Sequence, residues 1–373
     1  MPKSYPFIRQ TLLLTAVLLV LNPGAKAADR PLPPDIAPFF QPPAEFANDL
    51  GSFRSPLLFN DGRRVTNASE WTERRKEIRD TWTKLMGPWP ELLKEPAVEY
   101  ISKKHRDNFT QHRVRVEVAS GMMITGYLLV PDTKGPKPAV LVPFYDPETS
   151  IGLGKPMRDF AYQLAKRGFV TLSIGSPGGD ARRPIRGGAT CQPLSFLGYI
   201  AANCHTALAR MPEVDPKRIG VTGHSYGGKW SMFASCLDDR FACAVWSDPG
   251  IVFDEPRISV NYWEPWYLGY QPDYERAPGL ISDKSPRTGA YKKMIEQGRD
   301  LHELQALMAP RPFLVSGGSE DSPARWKALN HSIAVNRLLG LGNRVAMTNR
   351  PKHDPTDDSN EAIFRFFEHF LKP

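Results

Sequence analysis

Ser225 lies in the stretch RIGVTGHSYGGKW, residues 218–230. Gly223 and Gly227 lie two positions before and two positions after this serine. An apolar run precedes the motif and a helical pattern follows it. A nucleophilic serine on a strand-to-helix turn needs small neighbours at these positions, because strand and helix approach each other closely there. The spacing therefore predicts a nucleophile on a strained turn rather than a structural serine.

His353 is the predicted general base. A serine hydroxyl is a weak nucleophile and needs a base that accepts its proton. This serine turn is typically followed along the chain by an acid and then by a histidine. His353, in RPKHDPT, comes after the last predicted strand and before the last predicted helix, whereas His331 lies inside a predicted helix. We therefore expect His353 to take the proton from Ser225.

Three carboxylates compete for the third position, where an acid orients the imidazole and stabilises its charged form. Asp321, in GGSEDSPARW, follows a predicted strand and fits the usual position, and we predict it to be the acid. Glu320 is the adjacent alternative. Asp248, in VWSDPG, follows the preceding strand and is the other alternative, although an aspartate in a turn before proline also explains it.

The oxyanion of an acyl-transfer intermediate requires two backbone N–H groups. Tyr226, directly after the serine, is predicted to supply one of them. The second is expected from Phe144 or Tyr145, in the loop after the apolar run PAVLVPF. Together with the serine, the base and the acid, these donors predict acyl transfer to water. This chemistry implies neither a metal nor a cofactor.

Strands and helices that could position these residues alternate from about residue 112 onward. Continuous apolar runs such as PAVLVPFY, FVTLSIG and RPFLVSGG are typical of strands buried on both faces. Predicted helices separate them, and this alternation indicates an α/β fold with a mostly parallel sheet covered by helices on both faces. We assign residues 111–373 to this catalytic domain. An aromatic-rich insertion at about 249–305 is predicted to form a cap.

The first 110 residues do not show this alternation of strands and helices. Residues 1–27 contain Lys3, Arg9, a short apolar run and small residues up to Ala27, which predicts a secretory signal peptide cleaved after Ala27. Residues 28–110 are predicted to form a proline-rich arm and a helical extension, with a helix over 71–85. The net charge of +8 falls to +5 once Lys3, Arg9 and Lys26 are removed. A secreted or periplasmic protein without stable membrane insertion is expected.

Four cysteines remain in the mature chain. Export permits disulfides. Cys236 and Cys243 flank a short turn-like stretch and could pair, whereas Cys191 and Cys204 flank a helical one. Buried free thiols are the alternative. None of the four has the spacing of a metal site.

The motifs GHSYGG, GGSED and KHDPT resemble those of the α/β-hydrolase superfamily, over roughly residues 110–373. Within it the chain is similar to dienelactone-hydrolase-like and acetyl xylan esterase-like exported enzymes. The dienelactone hydrolases proper use a cysteine where this chain has Ser225. The element Trp71–Ile78 resembles the lead-in of bacterial carbohydrate esterases. The resemblance implies an exported serine carboxylic ester hydrolase, with a prolyl-oligopeptidase-type peptidase and a non-catalytic binding protein as alternatives.

The substrate is predicted only as a class. Aromatic residues of the insertion, among them Trp263 and Trp266, could stack on sugar faces or form the core of the cap. Arg182 and Arg183 follow another strand and could bind a carboxylate such as a uronic acid, or simply be solvated. We expect a small-molecule or carbohydrate ester. The basic residues are scattered and form no stripe with interleaved aromatics, so nucleic acid is not expected as a partner.

Overall fold

The computed structural model describes residues 30–180, 184–257, 265–274 and 279–373. The predicted signal peptide lies outside these residues, as do Arg182, Arg183 and Trp263. Within the described ranges, no helix is both long enough and apolar enough to cross a membrane.

A sheet of nine strands forms the centre of the described structure, in the order β1-β2-β3-β5-β4-β6-β7-β8-β9. The strands β1 to β3 and β5 pair antiparallel, and β5, β4 and β6 to β9 pair parallel. The predicted mostly parallel sheet is confirmed. The strands, β1 to β9 in chain order, span Val98–Arg106, Phe109–Ala119, Met122–Pro131, Lys137–Pro143, Val170–Ile174, Val214–His224, Cys243–Ser247, Phe313–Gly317 and Val345–Asn349.

Helices cover both faces of the sheet. The described α-helices, α1 to α8 in chain order, span Ala68–Met86, Phe160–Lys166, Pro193–Ala209, Tyr226–Leu237, Gly289–Glu296, His302–Ala306, Trp326–Leu338 and Asp357–Leu371. Short helical turns occur at Ala37–Phe40, Thr149–Leu153, Pro177–Gly179 and Pro323–Arg325.

Two hydrophobic clusters lie on opposite faces of the sheet. One contains Phe160 of α2 with Phe364 and Phe367 of α8. The other is larger and contains Trp82 of α1, Trp230 of α4 and side chains of α3. Burial of apolar side chains on both faces stabilises the parallel strands and fixes their carboxyl ends as one rigid edge.

The sheet begins earlier in the chain than the sequence predicts. Strand β1 starts at Val98 and pairs with β2, so the hairpin crosses the predicted domain boundary at residue 111. The helix expected over 71–85 is present as α1, and Asn67 caps it by accepting a hydrogen bond from the Glu70 N–H. Residues 30–110 therefore contribute a helix and an edge strand to the same body as the rest of the chain.

The four cysteines are free and buried. A Cys236–Cys243 disulfide is excluded because Cys236 packs in the cluster on one face of the sheet and Cys243 in the cluster on the other face. Cys191 and Cys204 both lie in the larger cluster without being bonded. Their thiols serve as small apolar side chains, and burial raises the pKa of Cys191 to about 11.

Candidate active site

Ser225 forms the turn between β6 and α4. Its backbone has φ 57° and ψ −117°, a conformation that non-glycine residues rarely adopt. The Ser225 N–H donates to the carbonyl of Ser247 at 2.8 Å, and the Lys229 N–H donates to the Ser225 carbonyl at 2.9 Å. Both strand β7 and helix α4 therefore hold the turn in this strained form, as expected where strain serves a function.

The glycines beside Ser225 are required by close backbone contacts. A Cβ atom at Gly223 would lie 2.5 Å from the Gly227 carbonyl carbon and 2.7 Å from the Pro143 carbonyl oxygen. A Cβ atom at Gly227 would lie 2.2 Å from that same oxygen. The end of β4, the end of β6 and the start of α4 can meet only because these two positions lack side chains.

His353 lies in the loop between β9 and α8 and contacts the serine directly. Its Nε2 atom is 2.9 Å from Ser225 Oγ. Its Nδ1 atom is 2.7 Å from Asp248 Oδ2. The imidazole is about one-third exposed, whereas the Asp248 carboxylate is fully buried. The three side chains form a continuous chain of hydrogen bonds from a buried carboxylate to a serine at the surface of the site.

Asp248 follows β7 and adopts a positive φ of 50°. Its Oδ1 atom accepts hydrogen bonds from the backbone N–H groups of Gly318 at 2.6 Å and Asp321 at 2.9 Å. The Glu320 N–H approaches the same carboxylate at 3.2 Å. Backbone donors from the loop after β8 therefore bind mainly Oδ1 of this buried anion. Oδ2 accepts the shorter contact from the imidazole and a longer one, at 3.3 Å, from the Glu320 N–H.

Asp321, the acid predicted from the sequence, does not contact His353. Its Oδ2 atom accepts from the Gly250 N–H at 2.8 Å, and its Oδ1 atom accepts from the Ile251 N–H at 2.7 Å. Both oxygens thus face the backbone of the loop after β7. The prediction of Asp321 beside the imidazole is wrong in this geometry, and Asp248, one strand earlier, occupies that place.

Glu320 does not contact the imidazole either. Its carboxylate pairs with the guanidinium of Arg257 at 3.2 Å. Only the backbone N–H of Glu320 points to Asp248. The alternative assignment of Glu320 as the orienting acid is therefore not supported by its side-chain contacts.

The buried side chains of Asp321 and Lys229 both contact the loop after β7. Burial, followed by the negative charge of Asp248, raises the pKa of Asp321 to about 6. Burial lowers the pKa of Lys229 to about 7, while the Asp321 charge opposes this shift. The Lys229 ammonium donates to the Gly250 carbonyl at 2.9 Å. The two side chains therefore hold Gly250 from its carbonyl and from its N–H.

Phe144 and Tyr145 are the two candidates for the second oxyanion donor, and the contacts test only Phe144. Its N–H donates to the Ile174 carbonyl at 3.0 Å within the sheet, so the prediction of Phe144 as donor is wrong. Tyr145 stays the predicted donor. Its ring packs on that of Tyr226, with centroids 4.8 Å apart. Tyr226 is the first residue of α4 and directly follows Ser225.

Two side chains next to the triad were not singled out from the sequence. His224, directly before the serine, is buried, and its ring centroid lies 4.6 Å from that of His353. Arg350 follows β9 and donates to the His353 carbonyl at 2.7 Å. The order T-N-R-P-K-H in the loop that carries His353 contained the only signal for Arg350, a cation three residues before the predicted base.

The residues predicted to bind substrate are only partly described. Trp266 is half-buried and packs against the larger hydrophobic cluster, as do the buried side chains of Tyr267 and Leu268. This part of the insertion contributes to the core. Arg186 stacks on Tyr270, with its guanidinium carbon 3.9 Å from the ring centroid.

Two family models match parts of the chain. A model of fungal glucuronyl esterases matches residues 205–338, and a model of FrsA-like esterases matches residues 91–253. A carbohydrate esterase from an unknown prokaryotic organism is 28% identical over 43% of this chain and 40% of its own length. The acetyl esterase Axe7A of Xylanibacter ruminicola is 24% identical over 53% of this chain and 48% of its own length. The chain thus spans less than half of each of these relatives.

Solved structures agree on the fold. A glucuronoyl esterase from Solibacter usitatus is 19% identical, with a TM-score of 0.67, and the match covers 86% of this chain and 98% of that chain. A glucuronoyl esterase from Teredinibacter turnerae is also 19% identical, with a TM-score of 0.61 and coverage of 85% and 88%. The predicted α/β-hydrolase fold and the predicted resemblance to esterases with this fold are confirmed.

Proposed function

We propose that this α/β-hydrolase is a serine carboxylic ester hydrolase that acts on carbohydrate esters, with Ser225, His353 and Asp248 as its triad. The observation that carries the proposal is the chain of two hydrogen bonds, 2.7 Å and 2.9 Å long, that joins Asp248 to Ser225 through His353. The strained backbone of Ser225 is the second support. Export is proposed with it, on the predicted signal peptide.

The proton path follows from these contacts. His353 Nδ1–H donates to Asp248, so Nε2 carries the lone pair that accepts the proton of Ser225 Oγ. Oγ then attacks the ester carbonyl carbon. His353, now protonated and stabilised by Asp248, returns the proton to the leaving alcohol. Water repeats the sequence on the acyl-enzyme, with His353 again as the base, and releases the acid.

The negative charge that develops on the carbonyl oxygen requires donors that are already in place. The backbone N–H groups of Tyr226 and Tyr145 are proposed for this role. The two tyrosine rings pack in a tilted arrangement, with 36° between their planes, and join the ends of β4 and β6 on this side of the serine. The Ser176 hydroxyl donates to the Tyr226 hydroxyl at 3.2 Å and fixes the far end of that ring.

The acid half of the substrate is proposed to be a uronic acid. The glucuronyl esterase match at residues 205–338 includes both Ser225 and Asp248. The similarity therefore covers the part of the chain that carries two of the three proposed triad residues. An acylated sugar is the second candidate, because the acetyl esterase of Xylanibacter ruminicola also matches. In a uronate ester the carbohydrate supplies the acid, whereas in an acylated sugar the carbohydrate supplies the alcohol.

The test compares purified wild-type protein with the Ser225→Ala variant. Hydrolysis of p-nitrophenyl acetate is expected in the wild type and is expected to fall by about 10³-fold or more in the variant, because the nucleophile is removed. The circular dichroism spectrum should not change, since the replaced hydroxyl contributes nothing to the core. Full activity in Ser225→Ala would overturn the proposal.

A second assay separates the substrate classes. The wild type is offered a benzyl ester of glucuronic acid and, in parallel, a peracetylated xylose. Faster cleavage of the uronate ester supports a glucuronoyl substrate. Faster release of acetate would replace it with an acylated sugar.

A further inference from the structure

Arg350 is a buried cation whose hydrogen bonds all go to neutral groups. It is 7% exposed. Its Nε atom donates to the Asp354 carbonyl at 2.9 Å, and its Nη2 atom donates to the His353 carbonyl at 2.7 Å. Guanidinium groups that are buried normally pair with carboxylates, so this arrangement calls for another explanation.

The same guanidinium reaches the neighbouring strand ends. Its Nη1 atom donates to the carbonyl oxygens of Ser316 at 2.8 Å and Gly317 at 3.3 Å, both on β8. Its Nη2 atom also approaches Ser247 Oγ, on β7, at 3.4 Å. One planar group therefore ties the loop that carries His353 to the ends of the two strands that precede the loops of Asp248 and Asp321.

A second contact holds the imidazole ring itself. Ser247 Oγ is 3.2 Å from Nδ1 of His224, whose ring packs 4.6 Å from that of His353. Arg350 thus touches the His353 backbone directly and reaches its ring through Ser247 and His224. Burial keeps the pKa of His224 well below its usual value, so that ring stays neutral beside the base.

Arg350 also brings a permanent charge close to the triad. Burial lowers the pKa of Arg350 most, whereas the charges of Asp248, Asp321 and Asp354 oppose that shift and Arg158 adds to it. His224 faces the same charge and is held neutral partly by it. A cation at this place disfavours a second positive charge on the neighbouring imidazole.

We propose that Arg350 is a positioning residue that sets the place and the charge balance of His353, and this inference depends on the proposed esterase function. The N–H groups of its guanidinium hold the His353 backbone against the ends of β7 and β8. The chemistry needs this because the distance from Nε2 to Ser225 Oγ must hold within a fraction of an ångström.

Arg311 provides a matched control. Its guanidinium also binds backbone carbonyls, those of Ser235, Asp238 and Phe241, at 2.8 to 3.1 Å. Its side chain is 12% exposed. It comes just before β8, at the opposite end of that strand from Ser316 and Gly317. Arg311 also pairs with the Asp239 carboxylate at 3.1 Å, so its loss removes at least as strong a set of contacts. Only the contacts of Arg350 include His353.

The experiment measures kcat and KM for p-nitrophenyl acetate from about pH 5 to pH 9 in Arg350→Lys, Arg350→Gln and Arg311→Gln. The active fraction of each is counted by fluorophosphonate labelling of the serine. Both Arg350 variants are expected to lose about 100-fold in kcat per active site, with KM within about threefold. The acidic limb of kcat/KM should move to higher pH, by about half a unit, in Arg350→Gln but not in Arg350→Lys, which keeps the charge.

Three results would contradict the inference. One is wild-type kcat per active site in both Arg350 variants. Another is an equal loss of kcat per active site in Arg311→Gln, which would indicate general destabilisation. The third is an unmoved acidic limb in Arg350→Gln. If the wild type hydrolyses no ester, or Ser225→Ala stays active, the proposed function has failed instead.

Discussion

Asp248 and Asp321 are two buried carboxylates at the ends of adjacent parallel strands, and they have different partners. The Asp321 N–H donates to Asp248, while the Asp321 carboxylate accepts from the loop that begins at Asp248. Each loop therefore satisfies the acid of the other. Asp248 Oδ2 faces His353 at 2.7 Å and the Glu320 N–H at 3.3 Å. Both Asp321 oxygens accept from backbone N–H groups of the loop after β7, and Oδ1 also lies 3.8 Å from Arg325 Nε. The carboxylate that orients the imidazole is therefore the one with an oxygen facing His353, and the direction of each carboxylate is set by the loop that holds it.

Replacement of each acid by asparagine tests this difference most strongly. Asp248→Asn should lower kcat for p-nitrophenyl acetate by roughly three to four orders of magnitude, because the amide no longer stabilises the imidazolium. Asp321→Asn should lower it by about tenfold or less, since its side chain contacts the loop after β7 and Arg325 but not His353. A larger loss of kcat in Asp321→Asn than in Asp248→Asn would contradict the assignment of Asp248 as the orienting acid.

Glu320→Gln is the control for these two variants. Its side chain pairs with Arg257 and contacts neither the imidazole nor Asp248, so kcat should stay within about threefold of wild type. A loss as large as that in Asp248→Asn would return Glu320 to the role of orienting acid.

Two neighbouring glycines allow the comparison to be made without changing either acid. A Cβ atom at Gly318 would lie 2.4 Å from the Lys352 carbonyl oxygen, directly before His353, and 2.6 Å from Asp248 Oδ2, the oxygen that binds His353. A Cβ atom at Gly317 would instead lie 2.3 Å from the Asp321 carbonyl oxygen. Gly318→Ala should lower kcat by about 100-fold, and Gly317→Ala should mainly lower the unfolding midpoint. Equal kcat values in the two variants would contradict a catalytic role for the contact between Asp248 and the loop that carries His353.

The pH dependence of stability gives the smallest expected effect. Asp321 has a folded-state pKa of about 6, raised from 3.8, so folding favours its protonated form. The stability from this carboxyl is full below about pH 4 and is lost as pH rises through about 6. Urea unfolding should therefore show wild type minus Asp321→Asn larger at about pH 5 than at pH 8, by about 1 kcal/mol. A constant difference would contradict the raised pKa of Asp321.

The serine, the base and the fold could be predicted from the sequence because their signals are local. Gly223 and Gly227 indicate that backbone segments approach closely at Ser225. The position of His353 between the last strand and the last helix predicts that it lies in the loop that carries the base. The alternation of apolar runs predicts the parallel sheet. The edge strand β1 was not predicted, since its residues are exposed along almost their whole length and carry no apolar alternation.

The acid could not be chosen from the sequence, because Asp248 and Asp321 both follow buried strands. Their difference depends on which backbone N–H groups face each carboxylate, and those donors come from a loop about 70 residues away. Arg350 was overlooked for the same reason. A single arginine after a strand gives no sign that its donors will converge on His353.

The most direct test of the Asp248–His353 contact is proton NMR of the exchangeable imidazole protons at low temperature. A strong Nδ1–H hydrogen bond to a buried carboxylate shifts that proton far downfield. We expect such a resonance in the wild type and in Asp321→Asn, and its loss in Asp248→Ala and His353→Ala. A resonance that survives in Asp248→Ala but disappears in Asp321→Asn would contradict the assignment.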